Sequence, residues 1–381
     1  MEPDCASQLK LGQAVPDSPH AVCVHFPTLD DVIGYEERRP GTVEKIRTGY
    51  PRFVLNPFLK QLGAALMKKH GLTGRRVFLV CSVRSAKELD AFCRAREGEW
   101  FRDGNVVVYH CEADDEVAEA ARAFVQHTGA CISSRLAEDR LYALGERKAV
   151  FKEEVEPEHP QDIVRYTVAR LFHLRRPDGV LLCNSGMNAF YSVFKAMRDL
   201  EETDGRHIWI RLGWLYLDTN RILEQFLDQE GSEQVFYDVH DLSELEAFLR
   251  RYGHRVAAVV TEVPTNPLIE TVDLERLREL ADHFRFRLIV DPTVASPYNV
   301  RVLPHADVVI NSLTKYAACE GDVMMGVAVF NPDRPGIMEV LARTVAHHEP
   351  PYSRDIARLA AQIPRTEKLL RQVNPTTVQV A

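Results

Sequence analysis

Short apolar runs alternate with amphipathic stretches along most of this chain. Val256–Glu262, Arg287–Thr293 and Asp307–Ile310 are near-continuous, β-branched runs, the pattern of strands buried on both faces. Asp178–Cys183, His207–Leu212, Gln234–Tyr237 and Val323–Phe330 predict further strands. Helical spacing falls between them, over Asp162–Leu174, from Ser185 through Met197, and over Asp218–Asp228, Asp241–Arg251 and Asp273–His283. Asp218 or Thr219 is the expected cap of its helix. This alternation predicts an α/β fold, with a mostly parallel sheet covered on both faces and ligand groups at the carboxyl ends of its strands.

The first third has its own pattern. Pro51–Gly71 predicts a helix with Phe58, Leu59, Leu62, Ala65 and Leu66 on one face. Arg76–Cys81 and Asn105–His110 predict strands. A helix capped by Ser85 and running through Arg96, and another over Asp114–Gln126, follow them. That order suggests a small α/β unit in an N-terminal extension. Residues 1 to about 50 read as a partly ordered arm and 145–160 as a linker. Gly336–Val373 is helical in pattern, broken at Pro350-Pro351 and Pro364. The expected division is 1–145, 146–335 and 336–381, the last being the start of an incomplete domain.

Composition narrows the function classes. The 381 residues are 45% hydrophobic and 27% charged, as in ordinary globular proteins. A net charge of −8 argues against nucleic acid or a membrane surface as the main partner. Eight cysteines show no Cys-x-x-Cys spacing, which predicts reduced, mostly buried thiols in a cytoplasmic protein and no metal site. No apolar stretch is long enough to span a bilayer, and the N-terminus lacks a signal-peptide core.

The candidate chemistry centres on Asn311-Ser312-Leu313-Thr314-Lys315-Tyr316, which follows the 307–310 run. A lysine where a strand leaves the core is expected to be poorly hydrated, which frees its amine as a nucleophile. Hydroxyls three and one residues before it can hold a phosphate. Asp291 ends another buried run 24 residues earlier. Pyridoxal phosphate chemistry needs such a lysine and an aspartate that keeps the pyridine nitrogen protonated. Asn184-Ser185-Gly186-Met187 joins a strand to a helix N-terminus, an anion site by its free N–H groups and dipole. Ser185, Tyr216, Asn266, Asp291 and Lys315 all fall at predicted strand ends.

Four stretches carry a resemblance to a known family: Ser185–Ala189, Thr261–Pro267, Val290–Tyr298 and Ser312–Tyr316. Over residues 160 to 330 the chain resembles the Cys/Met-metabolism family of pyridoxal-phosphate-dependent enzymes, cystathionine γ-synthase and its relatives. His127-Thr128-Gly129 and Ile132–Arg135 are similar to the long members from fungi and some bacteria. The resemblance implies the type I fold of the aspartate aminotransferase kind. It implies that Lys315 binds the cofactor covalently and moves protons, and that Asp291 pairs with the pyridinium. Asn266 is expected at the 3′-oxygen, Tyr216 stacked on the ring and active in proton transfer, and Thr293 beside the ring. Gly186 and Met187 N–H groups, with Ser312 and Thr314, are expected at the phosphate. Glu262 and Ser296 are expected to be structural.

Three departures stand out. The neighbour-subunit Tyr-x-Arg element is absent from Glu154–Pro160, leaving Arg135 or Lys152 as stand-ins. Tyr316–Asp322 replaces the usual Asn-Gly-His run. The further domain expected after the lysine, with an arginine for the substrate carboxylate, is only begun, so the chain is expected to be a fragment. The expected reaction replaces the γ-substituent of an activated homoserine ester with cysteine, giving cystathionine, in a homodimer or homotetramer acting on small amino acids. A β- or γ-lyase or methionine γ-lyase, or a non-catalytic protein of this fold, are the alternatives. An NAD-binding protein is disfavoured, because no Gly-x-Gly-x-x-Gly follows a strand.

Overall fold

The computed structural model describes residues 9–50, 54–93, 98–113, 115–227 and 230–380. The described residues form two compact units. Unit 1 comprises Met1–Pro157, Ala318–Met324 and Tyr352–Gln362, and unit 2 the remainder.

Unit 1 begins with a two-residue ladder, β1 (Ala14–Val15) and β2 (Cys23–Val24), then short helices α1 (Leu29–Glu36) and α2 (Pro40–Val43). α3 (Pro57–His70), β3 (Arg75–Val80), α4 (Val83–Cys93), β4 (Glu99–Asp103), β5 (Val106–Glu112), α5 (Asp115–Thr128) and α6 (Ser134–Ala143) follow. Asn56 caps α3, accepting from the Phe58 N–H, and Gly71 ends it in a left-handed conformation. Leu62 and Leu66 on its inner face are fully buried, worth about 2 kcal/mol each. The predicted helix starts at 51–53 and ends at 94–97, as well as Asp114, lie outside the described residues. Ser85 is not a cap: α4 starts at Val83, and Ser82 Oγ accepts the Ser85 N–H.

The three strands pair antiparallel in the order β3-β5-β4. β4 was not expected. Its hairpin to β5 turns at Gly104, whose φ of 63° needs no Cβ. Helix α13 (Ser353–Gln362) also belongs to unit 1.

Unit 2 carries the seven-stranded sheet. Its elements are α7 (Pro160–Leu171), β6 (Val180–Cys183), α8 (Gly186–Glu201), β7 (Ile208–Leu212), α9 (Leu217–Phe226), β8 (Glu233–Phe236), α10 (Ser243–Tyr252), β9 (Val256–Glu262), α11 (Leu274–Phe284), β10 (Arg287–Asp291), β11 (Val308–Ser312), β12 (Gly326–Phe330), α12 (Ile337–His347) and α14 (Thr366–Val380). Strand order is β6-β12-β11-β10-β9-β7-β8. β8, β7, β9, β10 and β11 run parallel, and β12 is antiparallel to both neighbours. The fold is the expected α/β architecture with a mostly parallel sheet.

α8 lies across β11 and β12, burying Phe190, Phe194 and Met197 against Trp209, Ile310 and Phe330. Asp273 caps α11, accepting from the Arg276 N–H. α9 has no side-chain cap. Asp218 and Thr219 lie buried inside its first turn, after Tyr216 at the cap position.

Candidate active site

β9, β10 and β11 are parallel neighbours, so they end on the same side of the sheet. Asp291 stands opposite Glu262, and Val290 opposite Val309. Burial pushes the Asp291 carboxyl up to about 6, against the Thr293 bonds and the Lys315 charge, which pull it down. Thr293 holds this acid twice. Its N–H donates to Asp291 Oδ1 at 2.8 Å, and its hydroxyl bonds the same carboxylate. Thr293 Oγ1 meanwhile accepts from the Ser312 N–H at 2.9 Å and from Asn311 Nδ2 at 3.2 Å. One hydroxyl thereby ties the end of β10 to the end of β11.

Lys315 lies three residues beyond β11 on an exposed turn. The expectation of an amine desolvated by protein is therefore corrected: the turn carries Lys315 out of the core. What the amine meets is the field of Asp291. Tyr316 fixes the turn, its hydroxyl donating to the Val294 carbonyl at 2.6 Å, in the loop that follows Asp291. Sequence reading gave Tyr316 no such part.

The anion cradle forms where α8 starts beside the end of β11. Ser185 caps α8 by accepting the Asn188 N–H at 3.1 Å. Gly186 and Met187, in the first turn, have no earlier helical carbonyl to bond. A Cβ on Gly186 would lie 3.3 Å from Ser312 Cβ, so the absent side chain lets the helix end approach β11. Beneath it, a Cβ on Gly326 would stand 2.3 Å from the Gly186 nitrogen and the Ser185 carbonyl. Gly326 was not among the expected residues. A glycine opening a strand is informative only once its neighbour is known. The helix start is also clamped by Glu349, whose N–H donates to Asn188 Oδ1 at 2.7 Å and whose carbonyl accepts the Asn184 N–H at 2.9 Å.

The two expected phosphate hydroxyls differ. Ser312 Oγ is buried with no hydrogen-bond partner among the described residues. Thr314 Oγ1 is engaged with Met325, accepting its N–H at 3.0 Å and donating to its carbonyl at 3.3 Å. Thr314 shapes the turn, and Ser312 faces the cradle unsatisfied.

Glu262 gathers the other edge residues. Its carboxylate accepts the N–H groups of Tyr216 and Asn266. Burial first, and Asp291 second, push its carboxyl well above the ordinary range. The Tyr216 ring leans on the central core cluster and is half-buried, while Asn266 sits on an exposed loop. Arg135 is no stand-in for the missing arginine arm. It is 1% exposed inside unit 1 and paired with Glu153, Asp322 and Asp355.

This donor set fits pyridoxal phosphate. A buried acid suits the pyridinium, an exposed amine beside it suits the aldehyde, and a helix N-terminus with an unsatisfied hydroxyl suits the phosphate. Among the described residues no cluster of side chains suits a metal ion, no disulfide forms, and no helix is long and apolar enough to cross a membrane.

Comparison with known proteins agrees. The family model described as Cys/Met metabolism PLP-dependent enzyme matches residues 163–345. An L-2-amino-4-chloropent-4-enoate dechlorinase/desaturase of Streptantibioticus cattleyicolor is 37% identical over 96% of this chain and 73% of its own length. A cystathionine gamma-synthase of Neurospora crassa is 38% identical over 42% of this chain and 26% of its own. A methionine gamma lyase from Micromonospora echinospora is similar in structure, with a TM-score of 0.43 at 24% identity. That likeness covers 53% of this chain and 51% of the solved one. The family match spans Asp291 at the end of β10 and Lys315 on the turn after β11, and identity to a single relative extends over nearly the whole sequence. This chain belongs to the Cys/Met metabolism family of pyridoxal-phosphate-dependent enzymes.

Proposed function

We propose that the protein expels a leaving group from the γ-carbon of a small α-amino acid. The observation that carries this is the pairing of buried Asp291 with Lys315 at one sheet edge, next to the Ser312–Gly186 cradle. The relatives' own reactions, as their names describe them, support the position of attack. In the dechlorinase/desaturase the chlorine sits on carbon 4 of a 2-amino acid, and the cystathionine gamma-synthases are γ-carbon enzymes by name.

Pyridoxal phosphate, when bound, takes up the electron pair left by loss of the α proton. The chain's residues do the rest. Asp291, held by Thr293, keeps a negative charge against the pyridine nitrogen. Gly186 and Met187 N–H groups and the Ser312 hydroxyl anchor the phosphate. The Lys315 amine would take the α proton, hand it on and, as free amine again, take a β proton, so that the γ-substituent could leave with its bonding electrons. Tyr216, set by Glu262, flanks the reacting face and assists the proton transfers.

For the outcome we favour γ-replacement, in which cysteine adds through sulfur to give cystathionine, in a homodimer or homotetramer. The second reading is elimination without a thiol, as a lyase or dehalogenase. The relative aligned over 96% of the chain favours it. The test incubates cofactor-loaded protein with an O-acylhomoserine, with and without cysteine, with cystathionine, and with a γ-chlorinated amino acid. Cystathionine formed only with cysteine supports replacement, and release of chloride or keto acid without a thiol supports elimination. Turnover confined to β-substituted amino acids, or none with any substrate, overturns the γ-carbon assignment.

A further inference from the structure

The turn that bears Lys315 is a closed excursion. Its neck lies in unit 2, where the Leu313 N–H donates to the Met325 carbonyl at 2.9 Å and Met325 bonds Thr314 in return. Its tip, Ala318–Met324, belongs to unit 1. There the tip's polar groups are held from several directions. Asp322, 2% exposed, accepts from Arg358 Nε at 3.0 Å and from Gln362 Nε2 at 2.6 Å. Its carbonyl takes Arg135 Nη1 at 2.8 Å. The Glu320 carboxylate also bonds Arg358, its N–H donates to Gln362 Oε1 at 3.2 Å, and the Gly321 carbonyl accepts the Val22 N–H at 2.9 Å.

Surface loops do not ordinarily need such a hold. Burying charges is costly, and a fully bonded buried network rigidifies what it contains.

We propose that Arg358, with Arg135, is a positioning residue for Lys315. By gripping Asp322 and Glu320 it fixes the tip of the lysine turn, so that covalent capture of the cofactor depends on this grip. This rests on Lys315 being the cofactor's lysine.

The test uses the full chain and the variants Arg358→Gln, Arg358→Lys and Arg354→Gln. Arg354 instead pairs with Glu138, Asp139 and Glu153 and donates to the Phe151 carbonyl, all in the same unit and outside the tip. Two quantities are read: the fraction of pyridoxal phosphate fixed on the Lys315 peptide by borohydride, and hydrogen exchange over residues 313–325 without cofactor. Arg358→Gln is expected to lower the fixed fraction about tenfold and speed exchange, because removing one partner strands buried charge. Arg358→Lys restores part of both, and Arg354→Gln changes neither. Normal capture and exchange in Arg358→Gln, or equal losses in Arg354→Gln, overturn the proposal. If Arg358→Gln fails to fold, Glu320→Gln at the half-buried edge gives the same readings. If the unsubstituted protein fixes no cofactor at Lys315, the lysine's role fails by itself. Exchange then decides the grip: faster supports it, unchanged overturns it.

Discussion

Replacing Gly326 by alanine tests the anion cradle directly. The new Cβ would lie 2.3 Å from the Gly186 nitrogen and from both atoms of the Ser185 carbonyl, all backbone. Ordinary contact requires a retreat of roughly 1 Å, and no side-chain rotation can supply it. Gly326 cannot yield easily, since it is held in register with Cys183 on one side and Ser312 on the other. The start of α8 must move, taking the Gly186 and Met187 N–H groups with it. A displacement of about 1 Å takes a hydrogen bond beyond its useful range. Bonds to a charged group are worth about 1.5–3 kcal/mol each, so losing two weakens phosphate binding by about 3 kcal/mol or more, at least a hundredfold in Kd. The overpacking itself costs about 1–3 kcal/mol of stability. Fluorescence titration with pyridoxal phosphate, beside a urea melt of the cofactor-free protein, separates the two effects. A folded Gly326→Ala protein that binds the cofactor within about twofold of the parent refutes the cradle.

Three further outcomes follow from the same physics. Ser312→Ala removes a buried hydroxyl with no partner among the described residues, so the cofactor-free protein is expected to gain up to about 1 kcal/mol while cofactor affinity drops about tenfold; paired melts and titrations check both signs. Asp291 has its folded pKa, about 6, above the unfolded 3.8, so its stabilising share is complete below 3.8 and lost as pH rises through 6. Asp291→Asn should therefore stabilise the cofactor-free protein at pH 8 by about 1–2 kcal/mol and abolish tight cofactor binding. A destabilised but cofactor-binding variant would contradict this. His20 is buried between Phe58 and Phe151, with Ser134 on Nδ1 at 2.9 Å and Glu138 on Nε2 at 3.2 Å. Glu138 is already paired with Arg147 and Arg354, so the ring stays neutral and donates to it. Burial, then Arg135 and the other arginines, lower its pKa to about 2. The unfolded state alone then binds the proton, and stability present above 6.5 falls by about 1.4 kcal/mol per pH unit below it. Urea melts at pH 7.5 and 5.5 should show this, and His20→Gln should flatten it.

Much of the sheet is legible in the sequence, for a physical reason. Strands buried on both faces, such as β9 and β10, cannot carry polar residues until they reach an edge, so Glu262 and Asp291 mark their ends. β4 is less visible, because Glu99-Trp100-Phe101-Arg102-Asp103 has only one apolar pair, and Asp103-Gly104 is its main signal. Ser85 carries the right residue type for a cap, but Ser82, three residues earlier, takes that role. Gly326 and Arg135 share another kind of obscurity. Their parts depend on partners more than 100 residues away, Gly186 for one and Asp322 for the other, and local pattern does not record such pairs. Thr314 and Ser312 are both hydroxyls beside the lysine, and only the path of Met325 distinguishes them.

The approach of Gly326 to Gly186 also sets an order of events during synthesis. The helix start emerges from the ribosome about 140 residues before the strand that supports it, or about 7–28 s at ordinary elongation rates. Until then β6 lacks its neighbour in the sheet, and vitamin B6 has no finished seat to occupy. The growing chain must keep that edge soluble unaided, and the cofactor can stabilise the product only after its last supporting strand has arrived.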